Sequence, residues 1–300
     1  MTDLILSIQG TPAGATAATI LALISAAAHA AFGALQKGRH DPWLARAAID
    51  LSYCLMALPF ALFVFPLPEG RLWLVLGGVF FIHALYKWLM AMAYSRGAYT
   101  AVYPVVRGTG PLGTVVLAWL FFHESFRPLQ WAGVLLLSGG IMGLALVNIA
   151  AMEHIGRRTL RAALLIAFAS GLTVSAYTAY DAFGIRLAPD PFTFLAWFFV
   201  IDGLLFPLLA IRWYARMPEP PPLRPLALRG MIGGLIGFVS FGGVMLATRL
   251  DKVGEAAALR ETSVIFAAVI GWALLGERIG WARAGLMGAI ALGAVLVETG

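Results

Sequence analysis

Arg107 and Arg260 are the residues of this chain best suited to chemistry, because each lies inside a long apolar segment and they stand 153 positions apart in matching surroundings. Laying residues 93–144 over 246–297 without a gap pairs Arg96 with Arg249, Thr109 with Thr262, Trp119 with Trp272, Glu124 with Glu277 and Gly140 with Gly293. A charge at the centre of a bilayer costs from about 2.5 to well over 10 kcal/mol, so each arginine must face a partner, water or a bound anion. Arg107 shares a helix face with Tyr103 and Tyr99, one and two turns earlier. An arginine backed by two phenols suits a carboxylate or phosphate that carries an apolar or aromatic body. An interhelical salt bridge that only holds the helix is the other reading, and both stay open.

Further charged residues share this depth. His83 and Lys87 lie one turn apart, with Met90 and Tyr94 continuing the stripe. His83 could carry a coupling proton, since imidazole titrates near ambient pH, or could be a hydrogen-bonded packing residue. The acids available to balance these bases are Asp50, Asp181, Asp202 and Glu261. Asp50 follows Arg46 by four residues and reads first as its local ion-pair partner. Asp202 has no local base, which makes it a candidate for proton coupling, for a substrate ammonium, or for pairing with Lys87 or Arg260. Glu124 and Glu277 sit at helix ends, where they are expected to cap the next helix or pair with Arg127 or Arg278.

These residues must be positioned by membrane helices. Hydrophobic residues make up 61 % of the 300 and charged residues 12 %, about half the charged share of a soluble domain. Runs of about 20 apolar residues recur, each long enough for a hydrocarbon core about 30 Å thick. We read ten helices, at 15–36, 43–65, 71–94, 98–122, 128–150, 160–184, 191–213, 227–249, 254–276 and 280–298. Proline and charge separate them, as in Asp41-Pro42, Asp190-Pro191 and the stretch Pro218 to Pro225. Met1 to Gly10 carries one acid and no base, so the first apolar run is expected to stay as a helix.

The duplication divides the chain into residues 1–152, with helices 1–5, and 153–300, with helices 6–10. An odd number of helices per unit forces the two units into opposite orientations. The fold class is therefore all-α integral membrane, with ten transmembrane helices as two inverted five-helix repeats around a central cavity. GxxxG spacings at Gly139/Gly143, Gly230/Gly234 and Gly233/Gly237 favour close helix packing inside the protein or between copies.

The net charge of +6 reflects arginines in short loops, which argues against nucleic acid as a partner. Most of these bases fall in the loops after helices 1, 3, 5, 7 and 9, which the positive-inside rule assigns to the cytoplasm. The single Cys54 excludes a disulfide framework, and no metal or cofactor site is expected. HExxH, GxSxG and nucleotide-binding motifs are all missing, so an intramembrane enzyme is the weaker class.

Leu274-Leu-Gly-Glu-Arg278 and Phe121-Phe-His-Glu-Ser125, each ending an apolar helix before a glycine-rich one, resemble the drug/metabolite transporter superfamily, specifically its ten-helix proteins with two EamA domains. His123 replaces the family's glycine in the first turn, and Tyr103 to Gly108 resembles a subgroup of these proteins. The resemblance implies a cavity lined by helices 3, 4, 8 and 9, and export or exchange of small metabolites. It also implies termini in the cytoplasm, opposite to the charge distribution, so orientation stays open. The residues then suggest a secondary transporter of zwitterionic or anionic metabolites, amino acids or related organic acids first, with a lipid-linked sugar flippase as the alternative. Arg107, Tyr103, Tyr99, Lys87, His83, Arg260 and Glu261 are the expected substrate residues, and Asp202, Asp50 and His83 the expected coupling residues. A small-molecule substrate and the bilayer are the expected partners, in a bacterial inner (plasma) membrane, for a monomer or homodimer.

Overall fold

The computed structural model describes residues 1–36, 41–96, 99–150, 157–275 and 280–300. Every regular element among them is an α-helix. The first repeat contains α1 (Thr2–Ile8), α2 (Pro12–Gln36), α3 (Pro42–Phe63), α4 (Arg71–Tyr94), α5 (Tyr99–Phe122) and α6 (Pro128–Ala150). The second contains α7 (Arg157–Leu187), α8 (Pro191–Asp202), α9 (Leu205–Tyr214), α10 (Leu223–Leu250), α11 (Val253–Arg260), α12 (Ser263–Leu275) and α13 (Trp281–Thr299).

Nine stretches of the described residues are long and apolar enough to cross a bilayer. The remaining segment of the ten is the pair α11 and α12, interrupted at Glu261 and Thr262. A second break, at Gly203 and Leu204, divides the seventh span into α8 and α9. The short α1 and both breaks depart from the ten uninterrupted helices expected. Apolar content does not reveal the break at Gly203, because α8 and α9 are both apolar, whereas the other break falls where Arg260, Glu261 and Thr262 interrupt the apolar run.

Each repeat begins its second span in the same way. Asp41 accepts from the amides of Trp43 and Leu44 at 2.8 and 3.1 Å, and Asp190 accepts from Phe192 at 2.9 Å, with proline at the first helical position both times. A carboxylate cap followed by proline satisfies the free amides of a helix start.

Packing follows a pseudo-two-fold exchange. Helix α2 packs on α10 and α4 on α7; α5 packs on α7 and α12 on α2; α6 meets α13, and α3 meets α8. Exchanging the repeats carries the first two contacts onto each other, the next two onto each other and the last two onto themselves, as inverted repeats require. Large apolar side chains such as Phe63, Leu74, Phe81 and Phe121 are exposed around the outside. A hydrocarbon solvent accounts for that surface, which water would not tolerate.

The axis passes between α6 and α13, where Gly133 and Gly293 face each other. A Cβ on either would lie 2.7 Å from the other's carbonyl oxygen. Backbone cannot yield as a flexible side chain can, so Gly293→Val is expected to cost about 1–3 kcal/mol or more through overpacking. Thermal unfolding in detergent measures this, and a parental melting temperature would show that the two helices can separate freely. Gly230 and Gly234 similarly pack on Ala48 and Ser52, an internal use of those GxxxG spacings.

Candidate functional site

The break after α8 creates the centre of the site. Gly203 has the backbone of Asp50 and the side chain of Cys54 within 2.7 Å of where a Cβ would stand, so α3 closes tightly on the interruption. Pro207 lies in the first turn of α9, where a missing amide costs little. The carbonyl of Asp202 is thereby freed to accept from Lys87 Nζ at 2.8 Å. A cation at the carboxyl end of a helix is favoured by the local dipole.

Lys87 Nζ also lies 2.8 Å from Asp50 Oδ2 and 2.9 Å from Asp202 Oδ1, and donates to the Tyr53 hydroxyl at 3.1 Å. The Tyr53 hydroxyl donates in turn to Asp202 Oδ2. Asp50 is shared, since Arg46 Nε stands 2.7 Å from its other oxygen. The local pair read from sequence is present, and a third helix joins it.

One turn deeper, His83 lies between α8 and a further helix, α7. Its Nε2 lies 3.0 Å from Asp181 Oδ2 on α7, and its Nδ1 lies 3.4 Å from Asp202 Oδ1 on α8. The Tyr177 ring packs 4.6 Å from the imidazole, and the Tyr177 hydroxyl accepts from Arg260 at 3.0 Å. Arg260 also sits over the Phe241 ring at 5.6 Å.

Arg107 pairs across the repeat interface with Glu261, Nε to Oε2 at 2.8 Å, and donates to Ser263 at 3.1 Å. The Nε and Oε2 atoms are close but poorly aligned, making an ion pair rather than a good hydrogen bond. Tyr103 lies under the guanidinium at 5.8 Å. Arg107, Arg260 and Glu261 are all buried.

A cavity of about 80 Å³ lies between the last turns of α2 and α4 and the first turn of α3. Its rings are Phe32, Trp43, Tyr86, Tyr94, Tyr103, Phe206, Phe241 and the imidazole of His29. Its charged residues are Arg46 and Lys87, while their acids Asp50 and Asp202 are buried behind them. At about 80 Å³ the cavity has room for several waters at ~10–15 Å³ each, or for the polar end of a small solute. Arg46, Trp43, Tyr86, His29 and Phe241 were missed in the sequence. Arg46 carries a signal, a cation four residues before an acid, which in sequence is explained equally by a local ion pair.

Past Phe241 lies a second, smaller cavity of about 10 Å³, lined by Tyr177, Asp181, Thr248 and Arg260 among others. Beyond it the chain is tied shut. Arg186 donates to the carbonyls of Thr248 and Asp251 at 2.8 and 2.6 Å, and Arg249 to those of Ile185 and Arg186 at 2.6 and 2.7 Å. Glu124 accepts from the amides of Val253 and Gly254 at 2.7 and 3.1 Å. It therefore caps α11 of the other repeat, where the sequence suggested the next helix or Arg127.

Lys87, Tyr103 and Arg46 thus face the larger cavity, His83 and Asp202 stand behind Lys87, and Arg107 with Glu261 forms a separate pair. Tyr99 opens α5, but its side chain lies outside the described residues, as do Glu277 and Arg278.

Comparison with known proteins agrees with this architecture. The EamA-like transporter family matches residues 16–146 and again 161–299. One solved structure, titled only as the crystal structure of a protein, aligns with a TM-score of 0.72 at 18 % identity, covering 94 % of this chain and 98 % of its own. That likeness shows the fold. No curated protein matches the sequence. Two matches that between them span most of a multi-pass membrane chain place this protein in the EamA-like transporter family.

Proposed function

We propose that this protein is a secondary transporter, an exporter or exchanger, of small zwitterionic or anionic metabolites, amino acids and related organic acids first. Its two repeats, divided near residues 152 and 153, would present the site to each side in turn. The observation that carries the reading is the larger cavity: Arg46 and Lys87 form its charged wall, aromatic rings form the rest, and the neutralising acids lie behind. Such a wall offers donors to a carboxylate and apolar surface to its body. The tied end beyond Phe241 supports a carrier caught with one side closed.

In this reading Arg46, Lys87 and Tyr103 meet the substrate directly. Arg107, Glu261, Arg260, His83 and Tyr99 belong to the surrounding site, and Asp202, Asp50 and His83 are the coupling candidates. Arg46 pairs with Asp50 through Nε, and no other ion pair or hydrogen bond of its guanidinium is present among the described residues.

Counterflow in proteoliposomes loaded with a mixed panel of amino acids and organic acids tests the proposal. Saturable uptake of a panel member is expected. Arg46→Gln should raise its KM about 10- to 100-fold, the equivalent of ~1.5–3 kcal/mol for a hydrogen bond to a charged group. The fold should survive, because Lys87 still neutralises Asp50. An unchanged KM would remove Arg46 from the site, and a panel with no uptake at all would remove the substrate class.

A further inference from the structure

The buried charges of this site are not equally partnered. Asp50 has Lys87 and Arg46, Asp202 has Lys87 and the Tyr53 hydroxyl, and Glu261 has Arg107. Asp181 has only the imidazole of His83 among the described residues. A buried carboxylate without a permanent cation is costly and tends to take up a proton.

The imidazole has the complementary problem. Carboxylates accept hydrogen bonds only, while a neutral imidazole has one N–H and one bare lone pair. His83 turns both ring nitrogens toward carboxylates, Nε2 to Asp181 and Nδ1 to Asp202. Nε2 stands at hydrogen-bond distance from Asp181, whereas Nδ1 lies 3.4 Å from Asp202 Oδ1 and off the line of a hydrogen bond, so the unprotonated ring leaves one nitrogen without an N–H beside an anion. A single added proton, on the ring or on Asp181, resolves both conflicts at once.

From this geometry we infer that His83 and Asp181 form a one-proton site, loaded together with an anionic substrate in the larger cavity. The inference rests on the transporter reading and names its coupling ion. Lys87, one turn along α4 from His83, lines the larger cavity, and Asp181 lines the smaller one on the closed side of Phe241. The proton therefore sits between the two compartments, comes from water in one and leaves to water in the other.

The surrounding charges set the sign. Toward the pair, α8 presents Asp202, α3 presents Asp50 and Tyr53 through Lys87, α7 adds Tyr177, and α11 adds Arg260. Helix α10 contributes Val244, Met245 and Thr248, and α5 meets α7 through Val106, Thr109 and Gly110, none of them titratable. Across the whole site Arg46, Lys87, Arg107 and Arg260 balance Asp50, Asp181, Asp202 and Glu261. The added proton leaves one positive charge, which a substrate carboxylate neutralises. By linkage, protonation tightens anion binding and anion binding draws in the proton.

The test is a proton count on the purified full-length protein in detergent, titrated with acid in weak buffer. Asp181→Asn keeps the shape, and its amide can donate to Nε2 while Nδ1–H faces the Asp202 carboxylate, so it should take up one proton fewer than the parent. His83→Gln keeps the carboxyl and should shift the midpoint of uptake without changing the count. Equal counts and equal midpoints in all three proteins would overturn the site. In proteoliposomes, counterflow of the anion that the panel identifies should strengthen as pH falls and lose that dependence in Asp181→Asn. A parental anion exchange indifferent to pH would overturn the linkage. If the count differs by one proton but no panel member moves, the proton site stands and the proposed substrate class fails.

Discussion

Lys87→Met is expected to abolish counterflow and to destabilise the protein by about 3–5 kcal/mol, the cost of leaving buried charges without their partner. The ammonium is held by Asp50, Asp202, the carbonyl ending α8 and the Tyr53 hydroxyl, so no other side chain can take its place. Methionine keeps the volume and apolar stem, which confines the effect to the charge. Arg46 still serves Asp50, and the loss falls mainly on Asp202. The double variant Lys87→Met, Asp202→Asn removes one charge of each sign, and Asn can still accept from Tyr53. It should regain most of the stability, since a buried pair is worth little over neutral groups of similar shape. It should not regain transport, because the cavity has lost its central cation. Chemical unfolding in detergent and counterflow measure the two quantities, and a stable, active single variant would refute the role given to Lys87.

What the sequence revealed of this site follows the range of the interactions. Eight of the ten spans and both Asp-Pro starts are local patterns, and each corresponds to a helix or a cap in the structure. The stripe His83, Lys87, Met90 and Tyr94 was legible because one helix carries all four, and three of them face the larger cavity. Glu124 could be assigned to a helix end but not to its helix, because the amides it caps come 129 and 130 residues later. Asp181 appeared as a spare acid on the sixth span, and only the packing of α4 on α7 makes it the partner of His83. The break at Gly203 was hidden by a composition apolar on both sides. Arg107 drew attention through its isolation within its own helix, which says nothing about a glutamate on α11's far end.

That glutamate decides what Arg107→Ala should do. Without the guanidinium, Glu261 stays buried with no paired cation, so the variant is expected to lose about 3–5 kcal/mol of stability as well as transport. The single substitution therefore cannot separate a binding residue from a brace, and the pair Arg107→Met, Glu261→Gln can. Removing both charges leaves neutral groups of similar volume and should restore stability to within about 1.5 kcal/mol of the parent. If the bridge were only a brace, transport would return with the fold. We expect it to stay below about a tenth of the parental rate, because Tyr103 connects Arg107 to the cavity: its ring lines the cavity wall and lies 5.8 Å beneath the guanidinium. Arg107 is buried behind that ring rather than in the cavity wall, so it would act on a bound anion through Tyr103 and through the field of a charge whose carboxylate partner is poorly aligned. Because Glu261 belongs to the opposite repeat, an anion that draws on the charge of Arg107 would weaken the contact between the two halves, the interface at which inverted repeats move.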